Sequence, residues 1–255
     1  MLKYLILSLI MLIGLNLGYS QSLADFFKRI PSPPKTVDEA YKRCPRDKDS
    51  QSAPILAEID SIAQKNGKET AANTAQTQAA AMDMANAMSS MNPTDMMKFG
   101  QFQQDDMKTM STVTDSQKVL FDPLHAWLDS AMKQIETEKN STIDKCPMVS
   151  YGEGGYLHDT GCVGAATRKA YSSRIEAENG YLKQVAQRWA RYVDIVSAYA
   201  LGKEKRIHEV LDGSTNSYIK MQFGSSLNSL WTYPEQLCDD CQNMTRDAAQ
   251  YRDMR

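Results

Sequence analysis

This sequence predicts an all-α fold: an elongated antiparallel bundle or set of helical hairpins with long helices, braced by disulfides. Three observations lead there. Apolar residues recur at three- and four-residue spacing over long stretches, above all between Tyr171 and Tyr199. The 13 glycines and 9 prolines cluster near the breaks between those stretches. Alternating runs of Val, Ile and Thr that would build several strands are missing.

The first twenty residues carry a different signal. Lys3 precedes an apolar run from Leu5 to Leu15, and Gly18-Tyr19-Ser20 lead into Gln21. A charged start, a short apolar centre and small residues at the exit make a secretory signal peptide, cleaved after Ser20. The run is shorter than the roughly 18 apolar residues that span a bilayer as a helix. The first cysteine is Cys44, too far from the cut to carry a lipid anchor. The mature protein is therefore expected in the periplasm or secreted, with no transmembrane anchor. Residues 21–52 are expected to hold a short helix among proline-rich and polar linkers, and residues 53–255 the helical bundle.

The elements follow in order. Leu23-Ala24-Asp25-Phe26-Phe27 opens a short amphipathic turn, which the prolines at 31, 33 and 34 end. Thr36 is placed to cap a helix from Val37 to Cys44, with Glu39 at the capping-box position and Pro45 beyond. Ile55, Ile59 and Ile62 lie on one helical stripe, and the Ala-, Thr- and Met-rich stretch after Gly67 favours helix but has few bulky anchors. Asn92-Pro93-Thr94-Asp95 is a second start signal: a capping side chain, a proline in the first turn, and an acid near the positive end of the dipole.

A helix from there is expected to end near Thr112. Another opens at Thr114 or Asp115, or at Asp122 beside Pro123, with Leu120, Leu124, Trp127, Leu128, Ala131 and Ile135 on its buried stripe. It closes before Cys146-Pro147. The glycine- and tyrosine-rich loop 147–161 leads into the longest helix, Val163 to Leu211. Its seam is Tyr171, Ile175, Glu178, Leu182, Val185, Trp189, Tyr192, Val196 and Tyr199, apolar throughout except at Glu178. Asp212-Gly213-Ser214 breaks it, and helices near 215–230 and 235–252 finish the chain.

Oxidising surroundings make disulfides the default reading of the five cysteines. Cys146 and Cys162 flank one loop between two helices that run side by side, and are the first pair to expect. Cys238 and Cys241 form the other close pair, with Cys44 as a further partner. A redox dithiol at Cys238-Asp239-Asp240-Cys241 is disfavoured, because two carboxylates oppose the thiolate and no strand precedes it.

Catalytic and metal signatures are sparse. With 29 basic and 31 acidic residues, no segment has the cationic excess that nucleic acid requires. Only three histidines are present, and HExxH, GxSxG and phosphate-loop motifs are missing. Asp47-x-Asp49-x-Gln51 with Glu58 has calcium-loop spacing, but Ser52 stands where glycine is required. No cofactor is implied.

Two stretches remain as sites. The methionines Met84, Met88, Met91, Met96 and Met97 give an adaptable surface for a partner protein or a second copy. Met82, Met84, Met88 and Met91 together offer the soft thioethers that suit Cu(I) or Ag(I), a metal-binding alternative. The loop groups Tyr151, Tyr156, His158 and Asp159 can contact a ligand, and His158-Asp159 beside Cys162 would serve an envelope enzyme only if that thiol were unbonded. The function expected is therefore non-catalytic binding or scaffolding, through contacts with an unidentified envelope or secreted protein or through self-association.

Overall fold

Two helices dominate the computed structural model, which describes residues 22–43, 54–55, 57–62, 91–152, 154–214 and 216–253. The elements are α1 (Leu23–Arg29), α2 (Val37–Arg43), α3 (Pro93–Ile143), β1 (Met148–Tyr151), β2 (Gly155–His158), α4 (Thr160–Gly213), α5 (Ser217–Ser229) and α6 (Thr232–Asp253). Residues 1–20, read above as a signal peptide, Cys44, and Met82, Met84 and Met88 lie outside the described residues. Among the described residues, no helix is long and apolar enough to cross a membrane.

Helices α3 and α4 hold 51 and 54 residues, so each runs for about 75–80 Å. Contacts at both ends fix them as antiparallel. Asp95 at the start of α3 meets Ser214 just past the end of α4, and at the other end Cys146 is bonded to Cys162. The all-α expectation holds, with one addition: a two-stranded antiparallel hairpin, β1 to β2, caps the arm.

The start of α3 is built as its sequence dictates. Asn92 Oδ1 accepts from the Asp95 N–H at 2.8 Å, and Pro93 fills the first turn, where no intrahelical donor is needed. The predicted break near Thr112 does not occur. Helix α3 runs through it and past Pro123 to Ile143. Within that stretch the hydroxyls of Thr109, Ser111, Thr112 and Thr114 turn back onto carbonyls of the preceding turn, so these weak helix formers satisfy themselves inside the helix. Burial of Phe121 against Trp189 and Tyr192 of α4, of Phe102 against Phe223 of α5, and of Leu120 and Leu124 in the same core supplies what propensity lacks.

The seam of α4 is where the sequence placed it. Leu182, Val185, Trp189, Tyr192, Val196 and Tyr199 are buried, and the stripe continues to Ala200 and Ile207. Edge-to-face rings knit the layers: Phe102 against Phe223 of α5 at 4.7 Å, and Phe121 against Tyr192 at 5.4 Å. Trp127 departs from its expected place. It is exposed at the rim, where its ring lies over Gly180; a Cβ there would sit 3.2 Å from the indole.

The N-terminal pieces fold onto this arm. Thr36 Oγ1 accepts from the Glu39 N–H while the Glu39 carboxylate accepts from the Lys35 N–H, so the capping box closes one residue further out than the standard form. Trp189 Nε1 donates to the Pro31 carbonyl at 3.0 Å, and Val37 N–H donates to Asn179 Oδ1 at 2.7 Å. Phe26 meets Trp231 edge-on and packs with Ile55, Ile59 and Cys238 in a satellite core.

Candidate docking surfaces

Hairpin residues are positioned by the helix ends beneath them. The bond between Cys146 and Cys162, with Cα atoms 5.8 Å apart, ties the turn just past the end of α3 to the first turn of α4. Asp159 N–H donates to the Pro147 carbonyl at 2.8 Å, and Asp159 Oδ1 accepts from Cys162 N–H at 2.7 Å, which caps α4. His158 Nδ1 lies 3.0 Å from the Cys146 carbonyl oxygen. Gly152 and Gly154 in the turn have positive φ, 61° and 86°, a conformation that glycine adopts without strain.

These bonds occupy the groups that the sequence offered for chemistry in the loop. His158 and Asp159 fasten the hairpin to the helix ends, and the Cys162 sulfur is in the disulfide, so no thiol beside His158 is available to attack. The Tyr151 side chain lies outside what is described; Tyr156 is 65 % exposed.

What the hairpin presents instead is apolar on both faces. Val149 and Leu157 are paired across the strands, and Met148 and Tyr156 belong to the opposite face; all four are exposed. The sequence signal for these strands is short, MVSY and GYLH around a glycine turn, and it sits inside a segment read as loop.

A second apolar surface lies on α3. Met96, Met107 and Met110 fall within about 60° of one another around the helix and are all more than half exposed. Met97 is exposed on a different face. Met91 belongs elsewhere: it packs in part against the main core. Met96 and Met107 stand roughly 16 Å apart along the axis, too far to ligate one ion together. Among the described residues, no three His, Cys, Asp or Glu side chains gather as metal ligands.

The interior carries two polar clusters. In the first, Asp106 of α3 accepts from Tyr199 Oη at 3.0 Å and from Lys203 Nζ at 2.7 Å, while Tyr233 Oη of α6 lies 3.4 Å from Tyr199 Oη. Burial, with the Tyr233 hydroxyl and the Asp106 charge, holds the Tyr199 phenol well above its ordinary range. That is a cross-helix staple rather than an activated phenol. In the second, Glu178 of α4 is only 5 % exposed, and burial raises its carboxyl to about 7. Beside it, Met132, Arg174, Asp247, Gln250 and Tyr251 line an open concavity of about 410 Å³.

Cys238 and Cys241 are buried on α6 and are not bonded to one another. Their i,i+3 placement in an uninterrupted helix serves packing, and burial pushes the Cys241 thiol up to about 11. No family model matches the chain, and no curated protein or solved structure matches it.

Proposed function

We propose that this chain is an exported binding or scaffolding protein, non-catalytic, which works through contacts with another envelope or secreted protein or with a second copy of itself. The observation that carries the reading is the hairpin: Met148, Val149, Tyr156 and Leu157 stand exposed on both faces of two strands held at their base by a disulfide. Apolar side chains on a braced projection do not stabilise the chain that bears them. Contact with another surface removes them from water. The methionines Met96, Met107 and Met110 offer a second, more pliable surface toward the other end of the same helix. The export half of the proposal rests on the charged, apolar and small-residue sequence of residues 1–20.

A photo-crosslinking residue at Tyr156 or Met107, introduced into the protein in its native host, tests this. The expected result is a discrete adduct, with a partner or a second copy, that disappears when Val149 and Leu157 are both changed to serine. Adducts no different from those at an exposed polar control such as Glu138, together with a monomer at every concentration in sedimentation, would overturn it.

A further inference from the structure

Glu178 stands alone as a carboxylate on the otherwise apolar buried stripe of α4. Among the described residues no donor reaches its Oε2, so the charged form has nothing there to replace the water it lost on folding. The groups around it do not compensate. On its own helix are Tyr181, whose hydroxyl is engaged with His125 of α3, and Arg174, whose guanidinium is held by Glu136 of α3. Asp247 and Tyr251 face it from α6, and Asp247 adds a second negative charge. Asp129 of α3 acts on the same two tyrosines, and α2 contributes Asp38, already paired with Arg252 at 3.0 Å.

The helix that brings Asp247 and Tyr251 to Glu178 is α6, whose far end is tied to α2 by Arg252 and Asp38. The second half of α6 buries Thr245, Ala248 and Ala249 against its neighbours, and these small side chains bring little apolar area. The concavity lined by Met132, Arg174, Asp247, Gln250 and Tyr251 opens along the same edge, with Arg174 one turn before Glu178 on α4 and Asp247 close enough to act on its carboxyl.

We propose that Glu178 is a proton-operated latch for the second half of α6: protonated, it is accommodated in the seam and α6 lies closed on α4; ionised, it draws in water from the concavity and α6 lifts. The sign follows from linkage. Burial raises the carboxyl from an ordinary 4.5 to about 7, so the closed form holds the proton more tightly than the open one. Closure is therefore fully favoured below about 4.5, weakens as pH rises through the interval to about 7, and is constant above it. Opening uncovers the turn of α4 that carries Glu178. The exterior of a cell is not buffered as its cytoplasm is, and an exported protein meets such a range.

Hydrogen exchange on the full chain at pH 5.5 and pH 8, corrected for intrinsic rates, reads the opening directly. Amides of Cys241 to Arg252 are expected to open on the order of tenfold more at the higher pH, with those around Trp189 unchanged. Glu178→Gln is expected to abolish the difference and to stay closed at both values. Asp247→Asn, at an exposed position, is expected to shift the midpoint downward. Should Glu178→Gln not fold, the carboxyl carbon shift of Glu178 in the unaltered protein decides: titration near 7 supports the latch. Equal opening at both pH values, persistence of the difference in Glu178→Gln, or titration near 4.5 would overturn it.

Discussion

Arg188 of α4 donates from Nη1 to the backbone carbonyl of Leu120 on α3, at 2.7 Å, in the turn that Pro123 interrupts. Proline has no N–H for the Val119 carbonyl, and its ring crowds that turn. A charged side chain from the facing helix thus bonds the carbonyl next to the one that Pro123 leaves without a helical donor. Helix continuity through Pro123 is a tertiary property, supplied by α4.

The first prediction concerns that pair. Arg188→Met keeps the aliphatic stem and removes the donor, at an expected cost of about 1.5–3 kcal/mol for a hydrogen bond from a charged group. Pro123→Ala restores the missing donor and is expected to stabilise α3. In the double variant the cost of losing Arg188 should shrink, because without the proline ring the turn can close and Leu124 N–H can serve the Leu120 carbonyl alone. Urea unfolding of the four proteins closes the cycle; additive effects would separate Arg188 from the proline.

The Asp106 staple makes a second. Asp106 serves Tyr199 and Lys203 at once, with Arg206 Nη2 3.9 Å away. Asp106→Ala leaves those cations facing each other and is expected to cost about 2–4 kcal/mol, since one partner of a largely buried pair is removed. Lys203→Met, which removes a charge and keeps the stem, should cost less. Tyr199→Phe loses one hydrogen bond, about 1 kcal/mol. Thermal unfolding ranks the three, and an Asp106→Ala protein as stable as Lys203→Met would contradict the staple.

Much of this arm was legible in the sequence, and the reasons are local. The cap at Asn92, the cap at Thr36 and the seam from Leu182 to Tyr199 are set by short-range chemistry that a side chain carries with it. The continuity of α3 was not legible, because Thr109 to Thr114 and Pro123 are poor helix formers whose deficit is offset by burial of Phe102, Leu120, Phe121 and Leu124 against distant elements and by Arg188, 65 residues beyond Pro123. Trp127 was misplaced for a related reason: at the rim a ring needs a gap opposite, and Gly180 is far off in sequence. The strands around Gly152 were hidden because a two-stranded hairpin of this length depends on the disulfide and helix ends at its base. His158 and Asp159 looked like a ligand-binding pair and are fasteners, a distinction that only the positions of the Cys146 carbonyl and the Cys162 amide could make.

Cys241 gives a third prediction, on reactivity. Burial raises its thiol to about 11, so at pH 8 the thiolate fraction is on the order of one in a thousand. Alkylation by iodoacetamide in the folded protein is expected to be far slower than in urea, where burial is lost. The rate should rise about tenfold per pH unit between 8 and 10. Rapid labelling at pH 7 in the folded state would show an activated thiol and reopen a redox role for Cys238 and Cys241.

The brace itself is the last prediction. Cys146 and Cys162 are 16 positions apart, and closing a loop of that size is worth about 3 kcal/mol in the chain-entropy model. The loss should fall on the tip rather than on the arm, because α3 and α4 are held along their length by Leu120, Phe121, Trp189 and Tyr192 while the hairpin has no core behind it. Replacing both cysteines by serine is therefore expected to leave helical circular dichroism nearly unchanged. The same replacement should open the amides of Val149 and Leu157 to exchange and expose the Tyr156 region to limited proteolysis. If the tip is the docking end, crosslinking from Tyr156 should fall in the same variant while crosslinking from Met107 persists. A protected hairpin in the serine protein would show that the bonds from Asp159 to Pro147 and from His158 to Cys146 suffice without the disulfide.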